Sequence, residues 1–274
     1  MKHAEIQGIR LPVLGLGTWQ MEGKSCERAV EEALDMGYRH VDTAQLYGNE
    51  AEVGRALRAS GASGIPREEI FLTTKIWMES LDRASVLRTA GESLRRLDTD
   101  YVDLLLIHWP SKTIPLEETL GAFRQLREQG KARSIGVSNF PPSLLRRALE
   151  IAPIVCNQVE LHPYLSQAAL LDLARRHDLL LTAYSPLARG EVNQDRTLRE
   201  IGKRHGKTPS QVTLRWLIQQ DHVAAIPKAS SPGHLRANLE IFDFVLSDEE
   251  MRRISELDRG RRLINPPIAP EWER

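Results

Sequence analysis

Cysteine is nearly missing from this chain: Cys26 and Cys156, far apart, are the only two in 274 residues. That argues against a disulfide framework or a cysteine-rich zinc site and makes a reducing cytosol the expected compartment. An excess of either charge is missing too, since Lys plus Arg and Asp plus Glu each number 37. Such a balance points away from nucleic acid and anionic membranes as partners. No apolar run reaches the roughly 20 residues that span a bilayer. The opening MKHAEIQGIRLP lacks the apolar stretch of a secretory signal. No fingerprint of three spaced glycines follows a strand, which argues against an open-sheet dinucleotide dehydrogenase. No paired-histidine motif stands on the first strand, so no metal site is expected. Linkers, low-complexity tracts and repeats are absent as well, and residues 1–274 are expected to form one domain.

What the chain does have is alternation. Eight short apolar runs read as strands: 13–19, 40–44, 70–77, 102–109, 134–139, 154–161, 179–187 and 223–229. Between them lie amphipathic helical patterns such as SCERAVEEALDMG, RASVLRTAGESLRRL and SQVTLRWLIQQ. Thr208-Pro209 and Ser247-Asp248 read as helix N-caps; Gly37, Gly130 and Gly206 read as C-terminal stops. Runs apolar on both faces suit parallel strands covered by helices. Eight strand–helix units in this length predict a closed (β/α)8 TIM barrel, α/β in class. HAEIQGIRL, with Gly8 in its turn, predicts an N-terminal hairpin plugging the barrel bottom. SDEEMRRISELD (247–258) predicts an extra C-terminal helix, and the Pro-rich RRLINPPIAPEWER an irregular tail.

In such a barrel, chemistry belongs at the C-terminal ends of the strands. The polar residues that break the apolar runs fall there: Asp42, Lys75, His108, Asn139, Gln158, Glu160, Tyr184, Ser185 and Lys228. Singly, an Asp after a strand is a turn or cap, and a His beside an apolar run is a bonded core residue. Closure changes the reading, because strand ends converge on one mouth. Tyr47 follows Asp42 in the stretch DTAQLYGNE, where a helix should start. A tyrosine is a poor acid at neutrality, with a reference pKa of about 10. A neighbouring ammonium favours the phenolate and lowers that pKa. Asp42 would keep a buried Lys75 charged, and His108 would donate to a substrate oxygen or pass a proton to Tyr47. The set makes a general acid aimed at a carbonyl oxygen.

GLGTWQ, GYRHVDTAQLYGNEAEVG, LTTKIW, DYVDLLLIHWP, GKARSIGVSNF, CNQVELHPY, AYSPLARG and IPKASS occur in order. Together they resemble the aldo-keto reductase family, most closely its short bacterial reductases of 2,5-diketo-gluconate and methylglyoxal. The likeness runs from about residue 6 to the tail. It implies Asp42, Tyr47, Lys75 and His108 as catalytic tetrad, with Tyr47 the proton donor. It also implies a nicotinamide dinucleotide across the mouth, NADPH by preference. Thr18 and Trp19 would lie beside that cofactor. Ser138, Asn139 and Gln158 would hold its carboxamide, and Tyr184 would stack on its nicotinamide. Ser185 and Leu187 would belong to the pyrophosphate loop, Lys228 to the 2′-phosphate clamp, and Asn238 to the adenine. The resemblance further implies a small carbonyl substrate and a monomer.

Two positions depart from the family pattern. Ala229 replaces a hydroxyl residue after the clamp lysine, and His234 stands where an arginine is usual. A neutral imidazole cannot grip a phosphate in two-pronged fashion. Ser230, Ser231 and Arg236 are the candidates to compensate, and NADH becomes a possible second cofactor. Trp19, Trp77 and Trp109 each close a strand and are expected, with Tyr47, His108 and Asn139, to line the substrate pocket; Trp272 is a candidate to shut it. Short loops after His108 and after SPLARG suit small or polar carbonyls. His162, Cys26 and Cys156 are expected only to pack.

GTWQMEGKS follows a strand, but five residues separate its glycines where a phosphate-binding loop needs four. Two rival functions stay open. A Schiff-base aldolase would use Lys75 as nucleophile, and a cofactor-sensing regulatory subunit would bind without turnover.

Overall fold

The computed structural model describes residues 2–273; Met1 and Arg274, the outermost residues of the expected domain, lie outside the described residues. The described chain opens with an antiparallel hairpin, β1 (His3–Ile6) and β2 (Ile9–Pro12). Its turn residues Gln7 and Gly8 have φ of 48° and 78°, the left-handed pair that a two-residue hairpin requires.

Eight parallel strands follow: β3 (Leu16–Gly17), β4 (His40–Asp42), β5 (Phe71–Ile76), β6 (Val102–Ile107), β7 (Ala132–Ser138), β8 (Ile154–Glu160), β9 (Leu180–Tyr184) and β10 (Val223–Ala225). Each pairs with the next in sequence order. The sheet closes on itself between residues 13–17 and 225–227. There Gly15 N donates to Ala225 O, Ala225 N to Val13 O and Gly17 N to Pro227 O. A Cβ on Gly17 would sit 2.7 Å from Ile226 O, so the seam needs glycine. The result is the (β/α)8 barrel expected. The first and last strands are shorter than their apolar runs because much of each run pairs across the seam rather than as regular ladder.

The helices are α1 (Gly23–Asp35), α2 (Glu50–Ala62), α3 (Arg83–Leu97), α4 (Leu116–Glu128), α5 (Pro142–Ile151), α6 (Ala168–Arg176), α7 (Arg196–His205), α8 (Pro209–Gln219), α9 (Pro232–Leu239) and α10 (Asp248–Ser255). In α1 the buried residues are Cys26, Ala29, Val30, Ala33 and Leu34, the i, i+3, i+4, i+7 stripe of a helix lying on a core. Thr208 and Ser247 each form a reciprocal capping box, with Gln211 and Glu250. Gly206 ends α7 in the left-handed conformation, φ 63°.

α7, RTLREIGKRH, buries only Leu198, Ile201 and Gly202; the sequence marks it by its stop at Gly206 rather than by an apolar run.

Inside the barrel, period-two alternation sorts the strands into two shells. Outward residues such as Leu72, Leu105, Val137, Val159 and Leu181 join the large core under the helices. Inward residues Phe71, Leu104, Leu106, Cys156, Leu180 and Ala224 meet Ile6 and Leu11 of the hairpin. The hairpin therefore stoppers the N-terminal end, as expected. Gly136 serves that packing: a Cβ there would lie 2.7 Å from the Leu106 side chain. Among the described residues no helix is long and apolar enough to cross a membrane.

Candidate active site

β4 ends at Asp42, and Thr43–Ala44 lead into a single 3-10 turn, Gln45–Tyr47. Gly48, φ 67°, ends it. The buried Asn49 stitches this connection together. Its side chain accepts from Thr43 Oγ1 (2.7 Å) and donates to Thr18 O (2.9 Å) and Met21 O (3.0 Å). Gln45 Oε1 accepts from Trp77 N at 3.2 Å. The acid and the phenol of DTAQLYGNE thus sit in one turn that is tied to two neighbouring loops.

Lys75, the last inward residue of β5, is completely buried. Its ammonium donates to Asp42 Oδ1 at 2.5 Å, Thr43 O at 2.8 Å and the Tyr47 hydroxyl at 3.2 Å. The other Asp42 oxygen accepts from Gln158 Nε2 at 2.7 Å. Thr18 gives both its N–H and its hydroxyl to Asp42 O. Burial alone would strip Lys75 of its proton. The Asp42 carboxylate and Tyr47 overcome that and hold its pKa above the ordinary value.

Tyr47 departs from the expectation. Lys75 does pull its pKa down, but burial pushes harder, and the net shift is upward. Desolvation of a phenolate outweighs one ammonium here, a balance that depends on depth and is invisible in sequence. His108 is pushed well below the usual imidazole value, first by burial and then by Lys75. Its ring stands edge-on to Tyr47 (centroids 5.5 Å apart) and to Trp77 (5.3 Å).

β7 and β8 supply a second bonded group. Ser138 Oγ donates to Gln158 O (2.8 Å), and Asn139 Nδ2 to His108 O (3.0 Å). The Tyr184 hydroxyl donates to Asn139 Oδ1 at 2.7 Å. Asn139 and Ser185 both hold positive φ, 64° and 46°, backbone strain of the kind that gathers at functional sites.

These residues surround a cavity of about 540 Å³ that opens at the C-terminal mouth. Asp42, Tyr47, His108, Ser138, Asn139, Gln158, Tyr184, Ser185 and Lys228 line it, together with Trp19, Trp77 and Trp109. Lys75 lies behind this lining. Trp19 is 48% exposed at the rim, and Trp109 only 6%.

Other expected cofactor residues fall outside the lining. Leu187 packs against the core, and Ser230 and His234 are exposed on the way into α9. Asn238 is buried beside the Tyr38 hydroxyl. Ser231 caps α9 through His234 N. Trp272 does not shut the cavity; it packs edge-on behind Trp109, centroids 6.3 Å apart.

Part of the lining was not foreseen. Arg189 stands on the rim, and the tail residues Leu263, Ile264, Asn265, Pro266 and Ile268 form one wall. A Pro-rich tail has no periodicity to announce this; the only sequence cue was its apolar content.

The sequence profile of the aldo/keto reductase family matches residues 13–259, and the chain belongs to that family, whose members are oxidoreductases using nicotinamide cofactors. It is 44% identical over 259 residues to an aldo-keto reductase of Mycolicibacterium smegmatis, covering 93% of each chain. It is 39% identical over 271 residues to the methylglyoxal reductase DkgB of Salmonella typhi, covering 97% of this chain and 100% of that one. Among solved structures, one named as a candidate 2,5-diketo-D-gluconic acid reductase B superposes with a TM-score of 0.97. Its identity is 47%, with 100% of this chain and 98% of that chain covered.

Proposed function

We propose that this protein is an NADPH-dependent reductase of small aldehydes and ketones, in the class of methylglyoxal and 2,5-diketo-gluconate, with NADH as a weaker alternative. Residues 1–274 act as one catalytic domain in this reading, and the protein works as a monomer. The observation that carries it is the bonded chain Asp42–Lys75–Tyr47, with the phenol delivered to the cavity wall.

The cavity suits a nicotinamide dinucleotide by its donor set. Gln158 spends its amide N–H on Asp42 and leaves its carbonyl oxygen available for a carboxamide. The Tyr184 ring is tethered by its hydroxyl and offers a stacking face. Lys228 and Arg189 place two cations on the rim, where phosphates would be held. When bound, the dinucleotide supplies a hydride to the carbonyl carbon.

The chain's own residues handle the oxygen and its proton. Tyr47 is protonated at neutrality, and burial raises its pKa further from the ordinary phenol value. As negative charge grows on the substrate oxygen, the phenol gives up its proton. The phenolate is then stabilised by the ammonium 3.2 Å away. His108 remains a neutral imidazole. Its Nδ1 is buried and finds no hydrogen-bond partner among the described residues. A bare acceptor is better tolerated there than an orphan N–H, so the proton resides on Nε2, able to donate to the carbonyl oxygen. Tryptophan walls keep water from competing for that bond.

Oxidation of NADPH and NADH, side by side, with methylglyoxal, 2,5-diketo-gluconate and simple aromatic aldehydes tests the reading. Turnover with NADPH favoured is expected; consumption of neither cofactor with any carbonyl would sink it. The aldolase alternative is disfavoured because Lys75 is held protonated and is a poor nucleophile. A borohydride-trapped adduct on Lys75 would revive it. A cofactor-sensing subunit would bind NADPH with no turnover at all.

A further inference from the structure

Glu160, the last residue of β8, is fully buried and takes no part in the proton chemistry above. A carboxylate at zero exposure persists only where its oxygens find donors. No Lys or Arg pairs with it among the described residues. Its donors are His162 Nε2 (3.0 Å to Oε1), Leu263 N (2.7 Å to Oε1) and Ile264 N (3.0 Å to Oε2). Two of these three are backbone groups of the tail, about a hundred residues further along the chain.

A second fastening holds the tail's far end. The Arg262 guanidinium lies 3.6 Å over the Trp272 ring. Trp272 Nε1 donates to Asn265 Oδ1 at 2.9 Å, folding the tail back on itself. Glu273 then accepts from Ser143 N, at the start of α5, at 3.1 Å. Between the two fastenings run the tail residues that form one cavity wall.

We propose that Glu160 is a positioning residue that sets substrate size, by fixing the tail's apolar wall opposite the tryptophans. This rests on the reductase reading of the site. The carboxylate and the tail depend on each other. If residues 263–264 lift away, Glu160 keeps a single donor and becomes a poorly satisfied buried charge beside Tyr184. The wall therefore holds one position, and the pocket stays narrow. His162 is more than packing here, since its Nε2 shares Glu160 Oε1 with Leu263 N of the tail.

The test is Glu160→Gln, which keeps the shape but offers one acceptor oxygen and turns an NH2 toward one tail amide. With the wall loosened, KM for methylglyoxal should rise about tenfold while kcat and the Kd for NADPH change less than about threefold. The preference for methylglyoxal over a bulky aromatic aldehyde should fall by a similar factor. A purely structural role would lower Tm without moving that preference. Hydrogen exchange reads the anchor independently of turnover. The amides of Leu263 and Ile264 should be protected in the wild type and unprotected in the variant.

Should Glu160→Gln fail to fold, Leu263→Pro deletes one donated N–H from the tail side and is read by the same kinetic preference and by exchange at the Ile264 amide. Fast exchange at both amides in the wild type overturns the anchor. An unchanged preference despite lost protection overturns the role in specificity. A wild type that consumes neither cofactor, with both amides protected, removes the reductase reading and the specificity role with it but supports the anchor.

Discussion

Along β5 the inward residues run Phe71, Thr73, Lys75; along β6 and one residue past its end, Leu104, Leu106, His108; along β9, Leu180, Thr182, Tyr184. The same strands supply both ends of the barrel, and each series passes from apolar to ionisable or hydrogen-bonding as it rises. At the hairpin end the interior is Ile6, Leu11 and their buried apolar neighbours. At the mouth a lysine and an aspartate are buried side by side. Stability is concentrated at the first end, and the second carries groups that cost free energy unless paired. A lesion should therefore read differently at each end.

The largest separation is expected from Tyr47→Phe. It removes only the hydroxyl, so carbonyl reduction should fall by about 10²–10⁴-fold while Tm and NADPH binding stay near wild type. Steady-state rates beside thermal melts would show it, and retained turnover would end the assignment of the acid. Lys75→Met should damage both properties. It strands Asp42, which keeps only Gln158 as side-chain partner, and should cost about 3–5 kcal/mol in urea unfolding. Adding Asp42→Asn should recover most of that stability and none of the activity.

At the hairpin end, Leu106→Ala should cost about 2–5 kcal/mol yet leave kcat per folded molecule unchanged. A changed kcat would mean the two ends are mechanically coupled.

Acid links both halves. His108 at the mouth and His40 lower down both have depressed pKa values, burial being the main cause. Below about pH 6.5 the unfolded chain takes up protons that these imidazoles refuse. Stability is thus full above that pH and declines as pH falls toward the folded-state values. The slope is at most about 1.4 kcal/mol per pH unit per histidine. Denaturant midpoints from pH 7 to 5 should show it, and His108→Gln should flatten it. The smallest effect is expected at the periphery. Thr208→Ala breaks the capping box of α8 and should cost about 1 kcal/mol, with kinetics unaltered.

Strands were legible because a run apolar on both faces has few alternatives in a chain of this pattern. The site was legible for a related reason: several polar residues interrupt such runs at their C-terminal ends, where inward positions converge on the mouth. Lys75 and His108 show this, each two positions beyond an inward partner. Other features depend on depth or on distant contacts. The direction of Tyr47's shift needed the competition between desolvation and Lys75 to be weighed in place. The tail wall depends on hydrogen bonds to Glu160 that no local pattern encodes. His162, expected only to pack, carries one of the bonds on that carboxylate.

The hairpin that stoppers the lower end also fixes where the molecule can be held. Lys2 and its neighbours emerge beneath the barrel, whereas residues 263–273 edge the opening through which reactants pass. Tethering to a bead or electrode by way of the β1–β2 side would leave that opening facing the bulk liquid. Attachment near residue 273 would tug on the very segment that shapes the pocket.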